Sequence, residues 1–154
     1  MKELAHLDLA GCRESKRLEA KRAIGGLPES IWETYSAFAN TCGGVILLGV
    51  EEHRDGSLHP VDLPDASGIL QDLWHGLNDR DRVSANILRD EDVQEVTLAG
   101  KHILVIRVPT AGPEAYPVYI GGSWQSGTYY RSGDGDFRCT PEQVLQMRKT
   151  RKKT

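Results

Sequence analysis

The chain has few of the residues that build disulfide frameworks or metal clips. It contains three cysteines in 154 residues, Cys12, Cys42 and Cys139. An odd number of widely spaced cysteines fits neither paired disulfides nor a C-x-x-C metal motif. The five histidines show no H-E-x-x-H pattern and no Cys/His ligand spacing. We therefore expect reduced thiols and a cytoplasmic location.

Long apolar runs and phosphate-binding loops are also missing. No run approaches the ~20 residues needed to cross a bilayer, and residues 1–11 lack the apolar core of a signal peptide. There is no G-x-x-x-x-G-K-[ST] loop, no G-x-G-x-x-G after a strand and no G-x-S-x-G elbow. The sequence gives no support to membrane insertion, nucleotide hydrolysis or acyl transfer.

The charged residues are distributed unevenly along the chain. The formal net charge is -3, so no overall positive field attracts nucleic acid. Basic side chains on a solvated strand supply phosphate contacts, but lysines also protect edge strands from aggregation. The chain has two basic clusters, which are Lys16, Arg17, Lys21 and Arg22 near the start and residues 148–153 at the end. Both interpretations apply to the first of these clusters.

The length fits one domain, which we place at residues 1–148, followed by a basic tail at 149–154. The tail is either the end of a stand-alone domain or a linker to a further domain. Hydrophobic periodicity predicts helices at about 2–10, 28–41 and 66–78 and a last helix that begins at Thr140. It predicts strands at 16–23, 45–50, 84–90, 93–98, 102–108, 117–120 and 128–132.

One of these strands, Val45–Val50, has no polar position, and a second, Ile103–Val108, is strongly apolar, with Arg107 as its polar residue. A strand without polar positions is buried on both faces of its sheet. Helix 28–41 has one apolar stripe with Ile31, Tyr35 and Phe38, which suits packing on such a sheet. We therefore predict an α/β (α+β) fold, a mixed sheet with these two strands at its centre and helices packed on both faces.

Three carboxylates bracket the first strand–helix–strand unit: Glu14, Glu19 and Glu52. Clustered carboxylates bind Mg-type cations and activate water in nucleases. Glu14 and Glu19 are five residues apart, so in one regular strand they face opposite sides. They converge only if Glu14 leaves the strand, with Ser15 as the place of the irregularity. The alternative is three ordinary surface glutamates.

A second candidate segment spans residues 127–136. Tyr129, Tyr130 and Arg131 are residues that stack on bases or hold phosphate, and Gly133 lets a backbone approach a ligand closely. The same pattern also fits a strand that enters a tight turn.

These segments resemble a known family, the Schlafen AlbA-like domain, over about residues 12–147. The resemblance implies an α/β fold with a mixed sheet and a nucleic-acid-binding role, as in prokaryotic regulator-like proteins. It rests on Glu14-Ser15-x-x-Leu18-Glu19-x-Lys21, on Ala37-Phe38-Ala39-Asn40-Thr41-x-Gly43-Gly44 followed by Leu48-Gly49-Val50-Glu51-Glu52, and on Gly127-Thr128-Tyr129-Tyr130-Arg131-x-Gly133.

The resemblance also implies a candidate catalytic and metal site. In animal relatives three acidic residues form a metal-dependent endoribonuclease that acts on transfer and ribosomal RNA, and their motif positions fall on Glu14, Glu19 and Glu52. Two positions depart from the family pattern, Ala20 in place of Phe and Glu52 in place of the common Asp. The animal enzymes use two related lobes, so a single lobe would act as a homodimer.

Two functions therefore compete, and a pure oligomerisation domain is a third. One is a regulatory module that binds the backbone of RNA or DNA. The other is an endoribonuclease that cleaves structured RNA such as tRNA with Mg or Mn as cofactor. Nucleic acid is the expected partner in both, and a membrane in neither. The candidate nucleic-acid-binding residues are Lys16, Arg17, Lys21, Arg22, Tyr130 and Arg131.

Overall fold

The computed structural model describes residues 13–153, with side chains described up to residue 150. The helix predicted at 2–10 lies outside the described residues. A four-stranded sheet has the order β1-β2-β6-β5. Its strands are β1 (Leu18–Lys21), β2 (Gly44–Leu48), β5 (Val93–Leu98) and β6 (Lys101–Val108).

The sheet is mixed, as predicted, because β1 runs parallel to β2 while the other neighbours are antiparallel. Strands β2 and β6 lie at its centre, and Leu47, Leu48, Leu104 and Val105 are fully buried. The two strongly apolar runs therefore predicted the central strands correctly. Strand β1 begins later than predicted, at Leu18.

One face of the sheet is covered by helices α1 (Ile31–Asn40) and α2 (Ala66–Leu77). The apolar stripe of α1 is buried, with Phe38 at 0% exposure. Helix α1 begins three residues later than predicted, because Pro28 accepts a turn hydrogen bond from the Ile31 N–H. Helix α2 agrees closely with its prediction, and the carboxylate of Asp65 caps it by accepting from the Gly68 N–H at 3.0 Å.

On the opposite face, the covering element among the described residues is a two-stranded ribbon, β3 (Val50–Glu52) with β4 (Leu58–Pro60). The predicted strand 45–50 is wrong at its end. Gly49 has a positive φ of 87° and interrupts the strand before Val50. Val50 then packs beside Leu47 on the second face.

The strand predicted at 84–90 is wrong. Backbone polar groups of this segment form hydrogen bonds with a side chain in place of a neighbouring strand. The Tyr35 hydroxyl donates to the Ala85 carbonyl and accepts from the Ile87 N–H. Residues 90–92 form a short 3-10 turn instead. The strand predicted at 117–120 is reduced to isolated bridges, at Tyr119 and Ile120.

The last third of the chain forms a hairpin and two helices. Strand β7 (Tyr129–Ser132), close to its predicted position, pairs with β8 (Gly135–Arg138), which is not among the predicted strands. Helix α3 (Trp124–Gly127) is one turn long, and α4 spans Pro141–Lys153. No helix among the described residues is long and apolar enough to cross a membrane.

The capping box predicted for the last helix is present. The Thr140 N–H donates to Gln143 Oε1 at 2.7 Å, and the Gln143 N–H donates to Thr140 Oγ1 at 3.1 Å. The guanidinium of Arg148 lies 4.8 Å above the Trp124 ring and joins α4 to α3. Helix α4 extends into the basic tail and ends at Lys153.

Candidate nucleic-acid interface and carboxylate cluster

Glu14 lies outside the regular strand, as convergence with Glu19 requires. A turn precedes β1, in which the Ser15 N–H donates to the Leu18 carbonyl at 2.9 Å. Glu14 Oε2 accepts from the Ala20 N–H at 2.9 Å. Strand β2 occupies one edge of β1, so the Glu14 carboxylate satisfies a backbone donor on the other edge.

The surroundings of Glu14 are acidic. Its burial raises the pKa of Glu14, and the negative charges of Glu19, Glu52 and Asp134 raise it further, against the lowering effect of the Ala20 hydrogen bond. Glu19 and Glu52 thus each lie within electrostatic reach of Glu14. Asp134, in the β7–β8 turn, is a fourth member that sequence reasoning missed, because it is distant along the chain.

Glu19 is already paired with two cations. Its Oε1 lies 3.1 Å from Arg131 Nη2, and its Oε2 lies 3.5 Å from Lys21 Nζ. Lys21 also donates to Ser30 Oγ at 3.0 Å, and only 11% of its side chain is exposed. Lys21, predicted to contact nucleic acid, therefore has its ammonium group turned to internal partners.

The side chains of Glu52 and Glu19 point to different faces of the molecule. It lies opposite the buried Leu58 in the ribbon, so the two side chains share a face with Val50. Glu19 lies opposite Ile46, whose side chain packs under the helices. The kink at Gly49 produces this difference, because it turns the chain between the two carboxylates.

In this arrangement the three carboxylates are not placed to bind one metal ion together. Carboxylate oxygens suit Mg or Mn chemically, but both oxygens of Glu19 face cations. Within residues 13–153, no group of three or more His, Cys, Asp or Glu side chains is placed to hold a metal ion. Metal binding by Glu14, Glu19 and Glu52 stays a prediction that requires these side chains to move.

Arg131 is buried rather than displayed. Its side chain has no exposed surface. Nη1 donates to Asp136 Oδ1 at 2.7 Å, Nη2 donates to the Ser15 carbonyl at 2.7 Å, and the guanidinium lies 4.8 Å over the Phe38 ring. Asp136 in turn accepts from Thr34 Oγ1 at 2.6 Å. The guanidinium thus ties the hairpin to β1, and the nucleic-acid contact of Arg131 stays a prediction that requires this buried side chain to be displaced.

Lys16, Arg17 and Arg22 are the candidate basic residues that reach solvent. Lys16 and Arg17 belong to the turn at residues 15–18, here called the basic turn. Ser15 anchors this turn through its backbone hydrogen bonds to Leu18 and through its side chain, which accepts from the Arg17 N–H at 3.2 Å. Arg22 is 61% exposed and lies 3.9 Å from a carboxylate oxygen of Glu51. Exposed cations therefore lie at both ends of β1, with Lys16 and Arg17 before it and Arg22 after it.

Tyr130 points to the outer face of the β7–β8 hairpin. It lies opposite Phe137, with ring centroids 5.7 Å apart. Tyr129 points the other way and is buried against α1, with its hydroxyl 3.3 Å from an Nη of Arg138. The adjacent Tyr129 and Tyr130 thus point to opposite faces of the hairpin. Phe137 is an outward-facing aromatic residue that the sequence analysis did not predict.

Three polar residues, in α1 and at its end, have structural roles that the sequence analysis did not predict. Asn40 Nδ2 donates to the carbonyls of Val118 and Tyr129, at 2.8 and 3.0 Å. The Ser36 hydroxyl accepts from the Tyr129 N–H, and the Thr41 hydroxyl accepts from the N–H of Arg131 at 2.9 Å. Polar side chains in an otherwise buried helix are the signal that could have identified them.

The family model described as Schlafen, AlbA_2 matches residues 14–140 of the chain. A similar solved structure is the N-terminal domain of a RecG-related protein from Nitrosomonas europaea, described in relation to ATP-dependent DNA helicases. It is 28% identical over 90% of each chain, with a TM-score of 0.58. No curated protein matches the chain.

The crystal structure of the DIP2311 protein from Corynebacterium diphtheriae also matches, with 18% identity and a TM-score of 0.58. The match covers 88% of this chain and 24% of that one. At this identity the likeness shows a shared fold, and the chain spans about a quarter of the length of that protein.

Proposed function

Since the chain belongs to the Schlafen AlbA_2 family, we propose that it is a regulatory domain that binds the sugar–phosphate backbone of RNA or DNA. The description of the similar Nitrosomonas europaea domain, which relates its protein to DNA helicases, supports a role with nucleic acid. The observation that carries the proposal is the basic turn, which holds Lys16 and Arg17 at the surface in a fixed position.

The fixed turn makes a better phosphate site than a mobile basic loop would. Arg131 holds the Ser15 carbonyl from within the protein, so the turn is ordered before any ligand arrives. Ordering a binding segment in advance removes part of the entropy that association would otherwise cost. Lys16 and Arg17 then supply contacts to phosphate, which position a nucleic acid without reading its sequence.

The overall charge of the chain limits this binding. With a net charge of -3, attraction depends on the local cationic surface and is opposed by the rest of the molecule. We therefore expect weak, sequence-independent binding that falls as salt rises, because salt removes the gain from counterion release.

Fluorescence anisotropy with labelled RNA and DNA strands at several salt concentrations tests the proposal. Arg17→Glu should weaken binding to all sequences alike and reduce the dependence on salt. Arg89→Glu is the matched control. It makes the same change in net charge, on an 82% exposed side chain that precedes β5, the strand at the opposite edge of the sheet.

Two results would count against backbone binding, and a third would count against the basic turn as its site. Affinity could be independent of salt, the loss in Arg17→Glu could be confined to one sequence, or Arg89→Glu could weaken binding equally. The last result would mean that overall charge, and not the basic turn, governs the interaction.

We also propose a second candidate, a metal-dependent endoribonuclease, which the acidic surroundings of Glu14 favour. A raised pKa at Glu14 and three nearby carboxylates are the kind of charge concentration that divalent cations neutralise. Incubation of the protein with tRNA and Mg or Mn, with and without EDTA, is the test. Glu52→Gln is a cleaner variant than Glu19→Gln, because Glu52 is exposed whereas Glu19 pairs with Arg131. Intact tRNA with every metal tried would remove this candidate.

The homodimer and the cytoplasmic location stay predictions. Sedimentation equilibrium over a range of protein concentrations would decide the first. A single mass equal to that of one chain, at all concentrations, would contradict a homodimer.

A further inference from the structure

The outer face of the β7–β8 hairpin displays an aromatic pair. Tyr130 and Phe137 lie directly opposite each other across the hairpin, with ring centroids 5.7 Å apart and a tilt of 32° between the ring planes. Phe137 is 47% exposed. The chain has two phenylalanines, and the other, Phe38, is completely buried. An exposed phenylalanine on an outward face therefore calls for a physical account.

The inner face of the hairpin fixes this pair in place. Tyr130 lies between Tyr129 and Arg131, which both point inward and are buried. Phe137 follows Asp136, which is bound by Arg131 and by Thr34. Because neighbouring residues of a strand point to opposite faces, these buried contacts hold the aromatic rings outward in one orientation.

The aromatic pair and the basic turn belong to neighbouring parts of the surface. Arg131 connects them, since its backbone lies in β7 while its Nη2 donates to Ser15 and Leu18 of the basic turn, at 2.7 and 3.3 Å. The turn of the hairpin also approaches the same edge of β1, because the charge of Asp134 acts on Glu14. The rings face away from these contacts, so a flexible strand that passes around the edge of the hairpin meets both features.

We propose that the Tyr130–Phe137 pair stacks on unpaired bases, so that the domain binds single-stranded or looped nucleic acid in preference to a continuous duplex. The inference rests on the proposed function and names its ligand class. Bases in a duplex are covered by their neighbours, whereas unpaired bases offer a free π face to aromatic side chains. The phosphates of the same strand then reach Lys16 and Arg17.

At the turn of the hairpin the charge supports bases over backbone, whereas the exposed Arg138 lies at the far end of β8. Asp134 in its turn repels phosphate, while an aromatic ring carries no charge and stacks on any base. The basic turn provides the opposite environment, with two exposed cations. A single strand satisfies both surfaces, with its bases on the rings and its phosphates on the turn.

Cross-strand aromatic pairs also stabilise hairpins, so the test must separate stacking on a ligand from stability. Phe137→Leu keeps an apolar side chain and removes the π face, and Phe137→Trp keeps a larger π face. Both variants and the wild type are titrated against a short labelled single strand and against the same strand annealed to its complement. Thermal unfolding of each variant shows whether the fold is retained.

The expected result is that the wild type binds the single strand more tightly than the duplex. Phe137→Leu should weaken binding to the single strand by about fivefold or more, the lower end of what one stacked base contributes. Its binding to the duplex should change little, and Phe137→Trp should retain the preference. Arg17→Glu should weaken both ligands, because phosphates are present in both.

The inference is overturned, while the proposed function stands, if the wild type binds both ligands equally or if Phe137→Leu changes neither or both to the same extent. It is also overturned if Phe137→Leu leaves binding intact but abolishes self-association, since the pair would then contact a second copy of the chain. A wild type that binds neither ligand removes the proposed function and this inference with it.

Discussion

Replacing Arg131 with alanine should destabilise the fold severely. The guanidinium contacts two carboxylates, of Glu19 and Asp136, whose side chains are only 15% and 14% exposed. Removal of one partner from a buried ion pair costs ~3–5 kcal/mol, because the other charge is left without compensation. The small remaining exposure of both carboxylates favours the lower end, about 3 kcal/mol. At this chain length we expect the melting temperature to fall by roughly 6–12 °C.

The change in the free energy of unfolding is measured by urea denaturation of the purified variants. Arg131→Met separates charge from packing, because methionine keeps an apolar contact with Phe38 but leaves Glu19 and Asp136 unpaired. We expect Met and Ala to be similarly unstable. Arg22→Ala is the control, since its guanidinium is 61% exposed and its ion pair with Glu51 is long, at 3.9 Å. Such surface pairs contribute about 0–1 kcal/mol.

A different outcome would refute the positioning role of Arg131. If Arg131→Ala unfolds at the same urea concentration as Arg22→Ala, the guanidinium does not hold the hairpin on β1. If that stable variant also loses nucleic-acid binding, Arg131 contacts the ligand directly, as its place in the sequence motif first indicated.

Two further predictions follow from buried groups. Phe38→Ala should lower the free energy of unfolding by ~3–5 kcal/mol in urea titrations, because Phe38 is completely buried under Arg131; a loss below about 1 kcal/mol would contradict that packing. The raised pKa of Glu14 means that the protonated acid suits the folded state better than the carboxylate does, so its contribution to stability is present at low pH and lost as pH rises through the folded pKa. Glu14→Gln should therefore be more stable than the wild type at pH 7 in urea titrations. The difference in the free energy of unfolding between the two proteins should vanish near pH 4, about the ordinary glutamate pKa. A constant difference across this pH range would be inconsistent with burial and repulsion at Glu14.

Apolar patterns predicted the centre of the molecule well, for a physical reason. A strand that is buried on both faces admits few polar residues, so Ile103–Val108, in which Arg107 is the one polar residue, could be recognised from composition alone. The stripe on α1 and the Thr140 capping box are equally local signals, which depend on residues within one or two turns. These elements needed no knowledge of what surrounds them.

The errors occurred where distant side chains decide local structure. The strand predicted at 84–90 is absent because Tyr35, some fifty positions earlier, supplies hydrogen bonds to its backbone. Arg131 is buried because Asp136 and Glu19 neutralise it, and Glu19 is far from it in sequence. A pattern of residue types does not reveal which arginine has such partners.

The motifs that identify the family meet in space. Asn40 and Thr41 hold the backbone of β7 at Tyr129 and Arg131. A Cβ atom at Gly44 would lie 2.7 Å from the Phe38 ring and 2.9 Å from the Arg17 carbonyl, so the close approach of β1 and α1 requires glycine there. These motifs thus specify one junction between helix, sheet and hairpin, and a match to them is evidence for the fold.

The proposed binding residues lie at the positions that this junction leaves open. Lys16 and Arg17 occupy the two unspecified positions of Glu14-Ser15-x-x-Leu18, and Phe137 follows the last motif. Their side chains are exposed, so a change there need not disturb the contacts of Arg131. The scaffold can therefore keep one arrangement while the residues at these exposed positions vary. For that reason, substitutions at Lys16, Arg17 and Phe137 should alter binding far more than they alter stability.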